Sequence, residues 1–250
     1  IFGYFAPLLF IQGNGQNRPN LFAPLSSQIY RRNQSEIFFG AGSPDHAILL
    51  SNQAINYIKQ SKYKLAEIAL RKSLSIFENF PLSRQLNIAI TSNNLATNLT
   101  NQGRYEEAQL YIESAIEMIK LAIPGDSMNL AIFQYNLAHN FRKQYKQNES
   151  QKYFILANEL LEKILGPEHP TTAIAKQGLV INYREQGRIS DSIELNKKIH
   201  AIYKKNFDTN SNRMADLYTF LSQDAIDQED FDQAEFFFLD SAGPKKIKSI

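Results

Sequence analysis

With 250 residues, 43% of them hydrophobic and 21% charged, the chain has the composition of a folded domain or a repeat array. Its 27 basic and 25 acidic side chains leave a formal charge of +2, too near neutral for a general attraction to nucleic acid, and no nucleic-acid partner is expected. There is no cysteine, which excludes disulfides, thiolate metal sites and cysteine nucleophiles; a reducing cytoplasm is the favoured compartment and export stays open.

The chain opens on an apolar run, IFGYFAPLLFI (1–11). It is far shorter than the roughly 20 residues that span a bilayer, and it lacks the basic start of a signal peptide. Packing on the rest of the protein or on a partner is the preferred reading, with membrane contact by residues 1–11 as the alternative. Residues 1–46 are expected to form an irregular extension, because Gly13, Gly15, Pro19, Pro24, Gly40, Gly42 and Pro44 interrupt any long helix. Phe2, Tyr4, Phe5, Leu8, Leu9, Phe10, Phe38 and Phe39 are too apolar for a free linker, so this segment is predicted to dock.

A repeat follows. Small residues recur in steps of 42 without a gap: Ala54, Ala96, Ala138, Val180 and Ser222, with a second set at Ala66, Ala108, Ser150, Ser192 and Ala234. A third set is Ser73, Ala115, Ala157, Ile199 and Ser241. Between the first two sets lies a polar break in every unit: QSKY, QGRY, QYKQ, QGRI and QEDF. Each unit therefore reads as two helices; in the second they run from about Ala89 to Gln102 and from about Glu106 to Leu121, with Gly103 as the stop between them. Ala108, Ile112, Ala115 and Ile119 make one apolar face. A helix pair this small cannot bury such a face alone, so stacked pairs sharing a core are predicted: an all-α solenoid of five repeats over residues 47–241. The repeats are bounded at 48–89, 90–131, 132–173, 174–215 and 216–241, and 242–250 form a basic tail.

A period near forty also suits HEAT and armadillo repeats. The residues favour another family. LATNLTNQGRYEEAQLYIESAIEMI (95–119) resembles a tetratricopeptide repeat, and LGPEHPTTA (165–173) resembles the linker of the 42-residue repeat of kinesin light chains. The resemblance covers about residues 51–240. It implies a right-handed superhelix whose first helices line a concave groove, the usual place for a bound peptide.

Asparagine pairs flank the small residue of the first helices: Asn52/Asn56, Asn94/Asn98 and Asn136/Asn140, then Gly178/Asn182 and Phe220/Asp224. A position two residues from a buried one lies about 200° round the helix, so both members point away from the second helix. Two readings stand side by side. The carboxamides hold the backbone of an extended ligand, or they bond to neighbouring repeats or to water. Lys59, Arg142, Lys143 and Arg184 add positive charge and suggest an acidic ligand or a C-terminal carboxylate. The candidate ligand-binding set is Asn94, Asn98, Asn136, Asn140, Arg142, Lys143, Asn182 and Arg184.

Unit five is different. Met214 to Pro244 carries eight acids and no Lys or Arg, together with Phe231, Phe236, Phe237 and Phe238, whereas the first unit is basic. Consecutive phenylalanines point about 100° apart and cannot share one face. The C-terminal end is thus a candidate interface, formed by Phe236, Phe237, Phe238, Asp227 and Asp230. A second copy, a basic partner or the chain's own KKIK tail would cover it.

His46, His139, His169 and His200 show no metal-ligand spacing, and His169 reads as a turn residue. No catalytic residue, metal ligand or cofactor is assigned. The expected function is a non-enzymatic scaffold for a protein or peptide partner. The alternatives are a peptide-sensing regulatory module and the recognition half of a larger enzyme.

Overall fold

The computed structural model describes residues 40, 42–80, 84–125, 127–208 and 211–241. Most of the expected N-terminal extension and the whole basic tail lie outside these residues. Among those described, all regular structure is helical. Ten helices follow in chain order: α1 (Pro44–Lys59), α2 (Tyr63–Phe77), α3 (Gln85–Asn101), α4 (Tyr105–Ala122), α5 (Ser127–Lys143), α6 (Gln147–Leu165), α7 (Pro170–Glu185), α8 (Ile189–Asn206), α9 (Asn212–Asp227) and α10 (Phe231–Ser241). Each first helix begins four or five residues before the repeat boundary expected from the apolar pattern. Capping chemistry sets three of these starts, those of α1, α7 and α9. Ser43 Oγ accepts from His46 N–H (3.2 Å), His169 Nδ1 from Thr171 N–H (3.1 Å) and Ser211 Oγ from Met214 N–H (3.3 Å), with Pro44 and Pro170 in the first turns.

The turn inside each pair is one geometry repeated five times. Ser61, Gly103, Tyr145, Gly187 and Glu229, each 42 residues from the next, all have positive φ, between 57° and 79°. Around four of them the same two bonds recur. Lys62, Arg104, Arg188 and Asp230 N–H reach back five residues to Tyr57, Leu99, Tyr183 and Ala225 C=O, and the left-handed residue itself reaches back three.

The chain divides between Gln144 and Tyr145 into two compact bodies. In the N-terminal body, α1 packs on α2, α2 on α3, α3 on α4 and α4 on α5. The small residues are where the helices come closest: Ala54, Ala66, Ala96 and Ala108 are all 0% exposed. Leu95, Leu99, Ile112, Ile119, Phe133 and Leu137 fill the space around them, each stabilising the fold by roughly 1.5–3 kcal/mol through burial. In the C-terminal body α6 packs on α7, α7 on α8, α8 on α9 and α9 on α10. Its core gathers Ala173, Val180, Ile199, Ile202, Tyr203, Met214, Leu217, Tyr218 and Leu221. There Gly178 replaces the first asparagine of the pair. A Cβ at that position would lie 2.4 Å from Cε1 of the buried Phe154, so the glycine makes room for the ring.

Candidate functional site

In the N-terminal body the two asparagines of a pair do different work. Asn98 turns back to the preceding repeat, where its Nδ2 donates to Tyr63 C=O at the start of α2 (3.0 Å). One turn on, Gln102 Nε2 donates to Glu67 Oε2 of the same helix (3.0 Å). Gln144 repeats this by donating to Gln109 Oε1 and to Asn140 Oδ1 (3.3 and 2.6 Å). Asn140 Nδ2 donates to Thr100 Oγ1 (2.8 Å), and Asn136 Nδ2 to Asn93 Oδ1 (3.0 Å), so α3 and α5 are bonded side by side. In the C-terminal body Asn182 Nδ2 donates to Gln147 C=O and Oε1 (3.3 and 2.9 Å), and Gln186 Nε2 to Gln151 Oε1 and Asn182 Oδ1 (3.1 and 2.7 Å). An Asn-x-x-x-Gln latch thus fastens a first helix to the second helix before it. Asn98 and Asn182 make this latch, whereas at Asn140 only Gln144 reaches the preceding second helix; all three asparagines are 0% exposed. The glutamines were legible as the first letter of each polar break, but the sequence reading did not assign them a partner.

On the outer side, an ionic cluster joins the same elements. Arg104 and Arg71 bracket Glu67 and Glu107, and Arg71 also donates to Tyr111 Oη (3.1 Å). Burial acts to raise the Glu67 carboxyl, but bonds from Gln102, Arg71 and Arg104 outweigh it and hold the group below its ordinary range.

Around α3 lie α1, α2, α4 and α5, and a stripe along it holds Ile90, Asn94 and Thr97. The stripe on α5 in the same register is Ile132, Asn136 and His139. All six are at most 8% exposed. The surface mixes amides, a hydroxyl and aliphatic side chains, and it is neutral: burial, with Arg142 and Lys143 nearby, pushes His139 down to about 3. Thr97 Oγ1, Asn93 Nδ2 and Asn98 Oδ1 are buried without a hydrogen-bond partner. At the end of α5, Arg142 is half-buried and Lys143 exposed.

In the C-terminal body, Arg184 is committed. It pairs with Asp224 (2.5 Å) and Asp227 on α9, and Asn196 Nδ2 donates to the other oxygen of Asp224 (2.7 Å). Asp230 Oδ1 caps α10 by accepting from Gln233 N–H (3.0 Å). The three phenylalanines divide. Phe237 turns inward and stacks on Tyr218, with ring centroids 5.9 Å apart, whereas Phe231, Phe236, Phe238 and Leu239 are 58–68% exposed.

The described residues hold no group of three His, Asp or Glu side chains arranged to bind a metal. No curated protein matches the chain. Among solved structures, BtubC (BKLC) of P. vanneervenii superposes with a TM-score of 0.69 at 17% identity, covering 90% of this chain and 94% of that one. Kinesin-light-chain-like, nearly identical TPR-like repeats of Podosopora anserina give 0.64 at 16% identity, covering 80% and 94%. The apo form of RapI gives 0.61 at 14%, covering 86% and 87%. These identities speak for the fold. The family model of the tetratricopeptide repeat matches residues 45–121 and 129–205, more than half of the sequence, and the chain belongs to the tetratricopeptide repeat family.

Proposed function

We propose that the chain is a protein-interaction scaffold whose N-terminal body holds an extended protein segment along the stripe of Ile90, Asn94 and Thr97 on α3 and Ile132, Asn136 and His139 on α5. The observation that carries this reading is the buried Thr97 hydroxyl on that stripe, which has no hydrogen-bond partner. A buried hydroxyl or amide without a partner costs about 1–3 kcal/mol, and a peptide backbone offers the donors and acceptors that relieve it. Asn94 and Asn136 are the ligand contacts in this reading, and Asn98 and Asn140 position them. Arg142 and Lys143, next along α5, favour a segment bearing an acidic group or a C-terminal carboxylate. Asn182 and Arg184 keep the corresponding helices of the C-terminal body in place. The test is a peptide library selected on the full chain and re-measured on an Asn94→Ala, Thr97→Val, Asn136→Ala variant. At least a tenfold loss of affinity with unchanged helix content is expected, worth about 1.4 kcal/mol. Unchanged affinity in a folded variant refutes the site.

A second contact surface is favoured by the exposed aromatics of α10. Phe231, Phe236 and Leu239 stand amid exposed Glu229, Asp232 and Glu235. An apolar patch with an acidic rim suits a basic partner segment, steered by charge and anchored by the rings. Phe231→Asp with Phe236→Asp should abolish salt-sensitive binding of a Leu/Lys amphipathic peptide. Light scattering that shows instead a concentration-dependent dimer would assign this face to a second copy.

A further inference from the structure

A second helix carries the landing site for the first helix that follows it, and the 42-residue register lets these sites be compared. On α2 the site is the Tyr63 C=O, which accepts from Asn98, and the Glu67 carboxylate, which accepts from Gln102 and Arg104. On α6 it is the Gln147 C=O and the Gln151 side chain, which accept from Asn182 and Gln186. On α10 the same two positions are Phe231 and Glu235. Tyr63, Tyr105, Gln147 and Ile189 are half-buried, and so are Glu67, Gln109, Gln151 and Ile193, but Phe231 and Glu235 are exposed. Three residues further on, Leu70, Ile112, Phe154 and Asn196 are each 0% exposed, whereas Phe238 is 65% exposed. The face that a following first helix covers on α2, α4, α6 and α8 therefore stands open on α10, and no first helix follows it among the described residues.

The first repeat has the complementary face. On α1, Asn56 and the following Gln60 stand in register with the latch pairs Asn98/Gln102 and Asn182/Gln186, and no second helix precedes α1 among the described residues. Asn56 is half-buried, where Asn98, Asn140 and Asn182 are 0% exposed. One stripe position earlier the contrast repeats: Leu49 is half-buried, where Thr91, Phe133, Ala175 and Leu217 are 0% exposed. Lys62 stands in register with Arg104, the partner of Glu67, and its Nζ lies beside the latch, donating to Gln60 Oε1 (2.7 Å).

Resting on the reading of α10 as a docking face for a basic segment, and naming that segment, we infer that its partner is a second copy of this chain. The partner copy's first repeat seats on α10 as the next repeat would. Asn56 Nδ2 donates to the Phe231 C=O, and Gln60 and Lys62 meet the Glu235 carboxylate, as Asn98, Gln102 and Arg104 meet Tyr63 and Glu67 within one chain. Leu49 and the rings of Phe231 and Phe238 supply apolar contact. Charge steers the two ends together, because Lys59, Lys62 and Lys64 approach Glu229, Asp232 and Glu235. The contact is head-to-tail. It uses a different face of each copy and leaves one latch and one landing site open, so association runs past the dimer into rings or chains.

Sedimentation velocity on the full chain at low salt tests this. The unaltered chain should associate with rising concentration and pass beyond the dimer. Two variants each block one end: Phe231→Asp with Glu235→Lys on α10, and Asn56→Asp with Lys62→Glu at the first repeat. All four positions are exposed or half-buried, and circular dichroism checks that helix content is kept. Each variant alone should lose at least tenfold in self-affinity, about 1.4 kcal/mol. Mixed, they should form a one-to-one complex that grows no further, because each supplies the end that the other lacks. A parent that stays monomeric at every concentration overturns the inference without recourse to either variant. So does a first-repeat variant that associates as strongly as the parent, which would mean α10 against α10, or a mixture that forms no complex. A monomeric parent that still binds the Leu/Lys peptide at α10 would leave the docking face standing and remove only the second copy as its occupant.

Discussion

The buried imidazole of His139 makes acid sensitivity a quantitative test of the N-terminal body. Its side chain is held neutral, with a proton affinity lowered from 6.5 to about 3 by burial and by Arg142 and Lys143. The unfolded chain has no such constraint and protonates near 6.5. Stability from this group is fully present above pH 6.5 and is lost as pH falls toward 3, because only the unfolded state takes up the proton. The slope is about 1.4 kcal/mol per pH unit, so lowering the pH from 7 to 5 costs about 2 kcal/mol through this residue alone. The perturbation is His139→Gln, which removes the titration and keeps a polar side chain of similar reach. Urea unfolding followed by far-UV circular dichroism, at pH 7 and pH 5, gives four stabilities. Other groups titrate in both proteins and cancel in the difference. The variant should lose about 2 kcal/mol less than the parent between the two pH values. Parallel losses would mean that His139 is hydrated or protonated in the folded state, against the burial of its imidazole.

Three further substitutions probe the repeat itself. Arg184→Gln should cost about 3–5 kcal/mol in urea unfolding, because it strands the buried Asp224 carboxylate, and a second change, Asp224→Asn, should recover part of the loss. Gly178→Ala should destabilise by about 1–3 kcal/mol despite a better helix former, since its Cβ meets the Phe154 ring, and Phe154→Leu should relieve it. Tyr145→Gly should stabilise by about 1 kcal/mol, because a bulky residue there holds a φ of 60°, and an unchanged midpoint would mean that the turn carries no strain.

The register was legible in the sequence because small residues must recur wherever helices meet closely, and Ala54, Ala96 and Ala108 lie at such contacts. Helix starts were less legible. The apolar period begins inside the helix, whereas Ser43, His169 and Ser211 set the boundary from outside it. The asparagines illustrate the limit best. Asn94 and Asn98 are i, i+4 neighbours, and the 40° between them decides whether a carboxamide lies on the stripe with Ile90 and Thr97 or meets the preceding second helix. That distinction depends on where the previous repeat sits, which helical geometry alone does not contain. Recurrence of Gln at 102, 144 and 186 carried the missing signal. Arg184 was read as a ligand contact because its acids, Asp224 and Asp227, lie nearly one repeat away. The conflict among the consecutive phenylalanines was correctly anticipated: Phe237 packs inward while Phe236 and Phe238 do not.

The Asn-x-x-x-Gln latch also bears on how such a chain can change length. The junctions ahead of α3 and α7 use the same side chains to hold the same backbone position, the C=O of the first residue of the preceding second helix, so this chemistry is not tied to one place in the series. A tandem duplication of residues 85–126 would give the added unit a latch toward its predecessor and offer its successor the familiar landing site. Duplication or loss in whole units of 42 residues is therefore structurally cheap, whereas a change of any other size would misalign the amides that join neighbouring units.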